Sequence, residues 1–230
     1  LLIALPILLA QVLMKKEEPV IAKKTPVFMP PREPNPLLQQ LLNEYDMKMQ
    51  ALSAEANTPG AAIAVVHDST IVFLKPYGVK EAGGSDSVDV NTVFRIASVS
   101  KCFASFLTGI LVQDSIFSWD THVKDYVPKF ALKSPEETSR LSIRNVLSHT
   151  TGLPYHAYTN MVEEGSSLDS MLSWLKNIKL VSKVGEEYSY QNVAYSVISP
   201  VVQSATGQTF ENLMREKVFV PLKMKSASID

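Results

Sequence analysis

Two short runs in this chain carry strand character, and both come early. Ala61–His67 and Thr70–Tyr77 are apolar and rich in β-branched residues, and Asp68-Ser69 separates them, which is a hairpin signal. From there to Asp230 the pattern is helix or loop throughout. A hairpin followed by a long helical stretch belongs to the α+β class.

Before the hairpin the composition changes twice. Leu1–Met14 is almost wholly apolar, broken by Pro6 and Gln11. It is shorter than the roughly 20 residues of a spanning helix, and neither a methionine nor a basic segment precedes it. We expect the remnant of a signal peptide or an uncleaved membrane anchor, with a buried core segment as the bland alternative. That expectation implies export to the cell envelope or periplasm and membrane attachment. Lys15 and Lys16 on the far flank count against export, since basic residues favour the cytoplasmic side. Residues 15–36 are charged and hold six prolines from Pro19 to Pro36, a composition that forms an extended spacer rather than a core. The folded body is expected over 37–230. Leu37, Leu38, Leu41, Leu42 and Tyr45 predict an amphipathic helix running to about Ala56.

Beyond the hairpin, a helix is predicted from Ser98 to about Gln113, with Phe103, Phe106, Leu107, Ile110 and Leu111 as its buried stripe. Leu141–Ser148 predicts a short helix. Asn192–Ser204 predicts one that Pro200 should kink or stop. A net charge of −1 leaves no electrostatic footprint for nucleic acid. The four histidines are scattered, so no metal site and no cofactor is expected. The single cysteine, Cys102, excludes an internal disulfide, and packing within the helix is its expected role.

Chemistry concentrates at Phe94–Phe103, F-R-I-A-S-V-S-K-C-F. Ser98 and Lys101 stand three apart, so in a helix starting near Ser98 they share a face. A hydroxyl beside an amine at a helix N-terminus is what a serine nucleophile needs: a base, and donors for an oxyanion. The spacing alone is cheap. Chance predicts about two Ser-x-x-Lys matches in such a chain, and the second, Ser173/Lys176, falls in the amphipathic run Leu168–Leu180. A second polar cluster is Tyr190-Gln191-Asn192, where an extended segment would point the phenol and the carboxamide the same way. A half-buried aromatic and a helix cap are the bland readings of those two residues. Tyr158-Thr159-Asn160 repeats the pattern, but only the later copy leads directly into an apolar helix.

Together these features resemble the serine β-lactamase and penicillin-binding protein superfamily, in its class C β-lactamase-like branch. The motifs appear in the family's order over about Leu37–Ser228. F-R-I-A-S-V-S-K matches the nucleophile motif, and Ile143–Pro154, I-R-N-V-L-S-H-T-T-G-L-P, is similar to a segment typical of the branch. Tyr190-Gln191-Asn192 looks like its Tyr-x-Asn element, and V-F-V-P-L-K-M, Val218–Met224, like its Pro-Leu-x-Met turn. The resemblance implies a β-lactamase/transpeptidase-like fold: an antiparallel sheet flanked by helices, plus an all-helical region. It implies Ser98 as the nucleophile, Lys101 and Tyr190 as the groups that move the proton, and Asn192 as a substrate-binding residue or a partner of Lys101. The implied substrates are small molecules or peptides. The implied activity is acyl hydrolysis of β-lactam, D-alanyl-D-alanine or related peptidoglycan type, with an esterase, a D-amino-acid peptidase or a non-catalytic cell-wall peptide binder as alternatives.

The chain also departs from the family. Val184 stands where proline usually precedes the glycine at Gly185. The third motif, Lys-Thr-Gly or His-x-Gly, does not occur in a suitable place, and His149-Thr150-Thr151-Gly152 belongs to the earlier segment. We therefore expect the C-terminal sheet strands to be absent and the resemblance to cover about two thirds of a family member.

Overall fold

The hairpin forms where the sequence places it. In the computed structural model, which describes residues 35–229, β1 (Gly60–His67) pairs antiparallel with β2 (Thr70–Gly78). The register runs from His67↔Thr70 at the turn to Gly60↔Gly78 at the far end, with an irregularity between Val65 and Val66. Asp68 turns the chain at φ 55°, a left-handed conformation that aspartate tolerates. Among the described residues this is the one sheet, and it has two strands. The apolar segment 1–14 and nearly all of the spacer lie outside the described residues.

The described residues divide into two compact units, one ending at Thr92 and one starting at Val93. In the first, α1 (Pro36–Glu55) covers the helix predicted from Leu37. Pro36, assigned above to the spacer, instead opens this helix, because the first helical position needs no N–H partner. The Asn35 side chain caps it by accepting from the Leu37 N–H at 3.0 Å. Tyr45 meets the Phe73 ring edge-on at 5.7 Å, and the Tyr77 hydroxyl donates to Asp46 at 2.9 Å, so α1 packs on β2 through its middle. Leu42 is buried there, whereas Leu37 and Leu41 stay exposed.

The second unit is helical. A 3₁₀ turn, Ala97–Val99, runs straight into α2 (Ser100–Gln113). Leu107, Thr108 and Leu111 form the buried face of α2, flanked by the partly buried Phe103 and Ile110. Phe106, predicted in that stripe, is 52% exposed, because it falls on the far side of the helix from this face. Cys102 sits on that far side too, and is exposed rather than packed.

Short helices follow: α3 (Val123–Tyr126), α4 (Pro135–Arg140), α5 (Ile143–Leu147), α6 (Thr159–Glu163), α7 (Leu168–Trp174), α8 (Ile198–Thr206) and α9 (Phe210–Met214). Ser134, Ser142, Ser167 and Thr209 begin α4, α5, α7 and α9 by accepting from an N–H three residues on. Such caps matter in helices of one or two turns, which have few bonds of their own. Pro200 does not stop its helix, which runs on to Thr206. The chain enters through a 3₁₀ turn at Tyr195–Val197, which places Pro200 third in α8, where the missing N–H costs no bond. The core of this second unit draws on most of its helices, with Leu107, Val123, Leu141, Leu153, Leu175 and Val201 fully buried. Among the described residues no helix is long and apolar enough to cross a membrane.

Candidate active site

Ser98 lies in the 3₁₀ turn that heads α2, and Lys101 lies on the first turn of α2. Ala97, just before the serine, takes φ 44°, a left-handed conformation that costs a non-glycine residue about 1–2 kcal/mol. Strain of this kind is held in place only by surrounding structure and concentrates at functional sites. The Lys101 ammonium donates to Ser98 Oγ at 3.1 Å, so the side-by-side arrangement inferred from the spacing is present.

Tyr190 and Asn192 arrive from a distant segment and converge on the same pair. The Tyr190 hydroxyl donates to Ser98 Oγ at 2.6 Å, and Lys101 Nζ donates to Asn192 Oδ1 at 2.7 Å. All four residues singled out in the sequence thus form one hydrogen-bonded cluster. Ser98 Oγ accepts from both Lys101 and Tyr190, which leaves its own proton free to be transferred. Burial works to raise the Tyr190 phenol, but contact with the Lys101 ammonium and the Ser98 hydroxyl outweighs it, so the group titrates below its ordinary value. Lys101 Nζ also lies 4.8 Å from the centre of the Tyr190 ring and 5.6 Å from that of Tyr195. A cation over an aromatic face is an attractive arrangement.

The two decoys resolve differently. Ser173 Oγ donates to the Ser170 carbonyl, and Lys176 lies in the 3₁₀ turn Leu175–Asn177; no hydrogen bond joins the pair among the described residues. The Tyr158 ring packs edge-on against Trp174 at 6.0 Å, and Asn160 bonds Glu164. Thr159, between them, does reach the cluster: its hydroxyl accepts from Asn192 Nδ2 at 3.4 Å, which turns Asn192 Oδ1 towards Lys101.

Three supporting residues escaped the sequence reading. The Tyr195 hydroxyl donates to the Lys101 carbonyl at 2.8 Å and ties the head of α2 to the chain after Asn192. His149 packs its ring on Tyr190 at 4.5 Å and on Tyr195 at 5.2 Å, and its Nδ1 accepts from the Gln191 N–H at 3.1 Å. Glu137 replaces the fixing expected from a proline at 184. Val184 is buried, and its N–H, which proline would lack, donates to Glu137 Oε2 at 2.7 Å. Their sequence signals were weak: a histidine inside a longer motif, a tyrosine in a helical run, a glutamate in a charged stretch. Among the described residues no group of three or more His, Cys, Asp or Glu side chains could hold a metal ion.

Comparison with known proteins gives a consistent set of likenesses. The family model described as "Beta-lactamase" matches residues 46–230. The unguisins hydrolase of Aspergillus violaceofuscus is 30% identical over 72% of this chain and 30% of its own length. Penicillin-binding protein 4 of Amycolatopsis lactamdurans is 29% identical over 77% of this chain and 46% of its own. Among solved structures, a class C β-lactamase in complex with cefoxitin superposes with a TM-score of 0.71 at 23% identity, over 84% of this chain and 52% of that one. The chain therefore spans about half or less of the length of these relatives.

Proposed function

This chain belongs to the beta-lactamase family, and we propose that it is a serine acyl hydrolase working through an acyl-enzyme on Ser98. The observation that carries the reading is the convergence of Tyr190 and Asn192, from a distant segment, on the Ser98–Lys101 pair: Tyr190 bonds the serine and Asn192 bonds the lysine. In the proposed reaction Ser98 Oγ attacks the substrate carbonyl carbon. Tyr190 first ionises, helped by the Lys101 ammonium that lowers its pKa, and the Ser98 proton then passes to the phenolate oxygen. The carbon–nitrogen or carbon–oxygen bond then breaks as that proton moves to the leaving atom, and water hydrolyses the resulting ester of Ser98. Asn192 holds Lys101 and offers its amide to a substrate. The Ser98 N–H, near the head of α2, is one donor for the oxyanion.

The substrate class we propose is a β-lactam or a D-alanyl-D-alanine peptide, small molecules or peptides of the cell wall. A relative named as a penicillin-binding protein supports this class. The apolar segment 1–14 supports placing the protein in the cell envelope, attached to the membrane. Ester and D-amino-acid peptide hydrolysis are the competing activities. Intact-mass measurement after incubation with benzylpenicillin and with an activated ester tests the reading. One acyl adduct on the wild type and none on Ser98→Ala is the expected result. Adducts on both proteins, or on neither, would overturn it and leave the four-residue cluster as a binding site only.

A further inference from the structure

One residue brackets Tyr190 from both sides. The His149 carbonyl accepts from the Ser189 N–H at 2.8 Å, and the His149 Nδ1 accepts from the Gln191 N–H at 3.1 Å. Between these two bonds lies Tyr190, and its ring sits 4.5 Å from the imidazole, tilted by 34°. His149 can present its carbonyl and its ring to the same segment because it follows α5 in a left-handed conformation, φ 58°. From the other edge, the His156 N–H donates to the Tyr190 carbonyl at 3.0 Å. An imidazole that accepts at Nδ1 is neutral and carries its proton on Nε2.

We infer that His149 is a positioning residue that holds Tyr190 against Ser98 only while its ring is neutral, so that protonation of His149 loosens the site. Protonation would place an N–H at Nδ1 opposite the Gln191 N–H, where no bond can form. The groups facing the ring are the Lys101 ammonium on α2, the phenols of Tyr188 and Tyr190, and Tyr195 from the following 3₁₀ turn. No carboxylate pairs with His149 among the described residues, so nothing there would compensate the new charge. Burial, and then the Lys101 charge, hold the imidazole below its ordinary value, which keeps it neutral near pH 7.

The effect on rate rests on the acyl-transfer reading above; the effect on structure does not, and the test separates them. ¹⁵N NMR of the full protein should show His149 unprotonated at Nδ1, with the Gln191 amide shifting at the same midpoint as the ring on acidification. The rate of Ser98 acylation should fall at that midpoint. His149→Asn retains an acceptor near the Nδ1 position, tolerates the left-handed backbone and does not titrate. It should stay within about tenfold of wild type at pH 8, on the low side of losses from a single acid–base group, and lack the additional fall at the His149 midpoint. His149→Phe keeps a ring but strands the Gln191 N–H, and should lose about tenfold or more at every pH. A Gln191 amide indifferent to the ring's titration, or an Asn variant that keeps the fall at that midpoint, would overturn the proposal. A wild type that is not acylated at any pH would sink the acyl-transfer reading, and the NMR titration would still decide the role of His149.

Discussion

The Tyr190 hydroxyl stands 2.6 Å from Ser98 Oγ, across 92 residues of chain. That is shorter than the usual separation of two hydroxyls, about 2.7–2.8 Å. The bond gives the serine proton a direct route to an oxygen whose ionised form Lys101 stabilises. Tyr190→Phe removes only that oxygen, so folding should survive while turnover falls about 10²–10⁴-fold, the usual scale for a lost acid–base group. Because the phenol titrates below its ordinary value near 10, kcat/KM of the wild type should rise with pH and level off below 10. The Phe variant should lose that rise.

The two Ser/Lys pairs separate chemistry from coincidence. Lys101→Ala removes the donor to Ser98 and Asn192 and should lower turnover by about 10²-fold or more. Lys176→Ala, exposed and without a bond to Ser173, should leave both turnover and stability nearly unchanged. Equal losses in steady-state assays of the two variants would contradict the site.

Stability should carry the signature of His149. Folding depresses its pKa, so the unfolded chain binds the proton first as pH falls. The stability this group contributes is complete above its unfolded value near 6.5 and is lost as pH falls through the folded value. Urea midpoints measured from pH 8 downward should therefore drop more steeply for wild type than for His149→Asn. Parallel curves would show that the ring tolerates protonation.

Gly152 is required where the motif containing His149 turns. Its φ is +78°, and a Cβ there would lie 2.6 Å from the Ser182 carbonyl oxygen. Backbone at this position also accepts from the Val181 N–H at 2.9 Å, so neither segment can retreat without losing a bond. Gly152→Ala should destabilise the protein by about 1–3 kcal/mol, read from denaturant melts.

The hairpin and α2 were legible from short-range pattern, β-branched runs around a turn dipeptide and a helical period, whereas Ser98, Lys101, Tyr190 and Asn192 stood out only through the order of the motifs that resemble the family. Phe106 and Cys102 were misjudged because spacing gives a helix its period but leaves the orientation of its buried face to tertiary packing. Pro200 was misread because a 3₁₀ entry shifts the start of α8, and only the start decides whether a proline disrupts. Glu137 and His149 act through bonds to the backbone of Val184 and Gln191, and a backbone N–H looks the same in every sequence. Ser173/Lys176 shares the spacing of Ser98/Lys101 and differs in what the fold brings near it.

The central claim is that Ser98 is the acylated atom's residue, and peptide mapping of the labelled protein tests it most directly. After reaction with a fluorophosphonate, digestion and tandem mass spectrometry should place a single modification on Ser98 within the segment from Phe94 to Phe103. A label on Ser100, Cys102 or Tyr190, with Ser98 unmodified, would contradict the assignment.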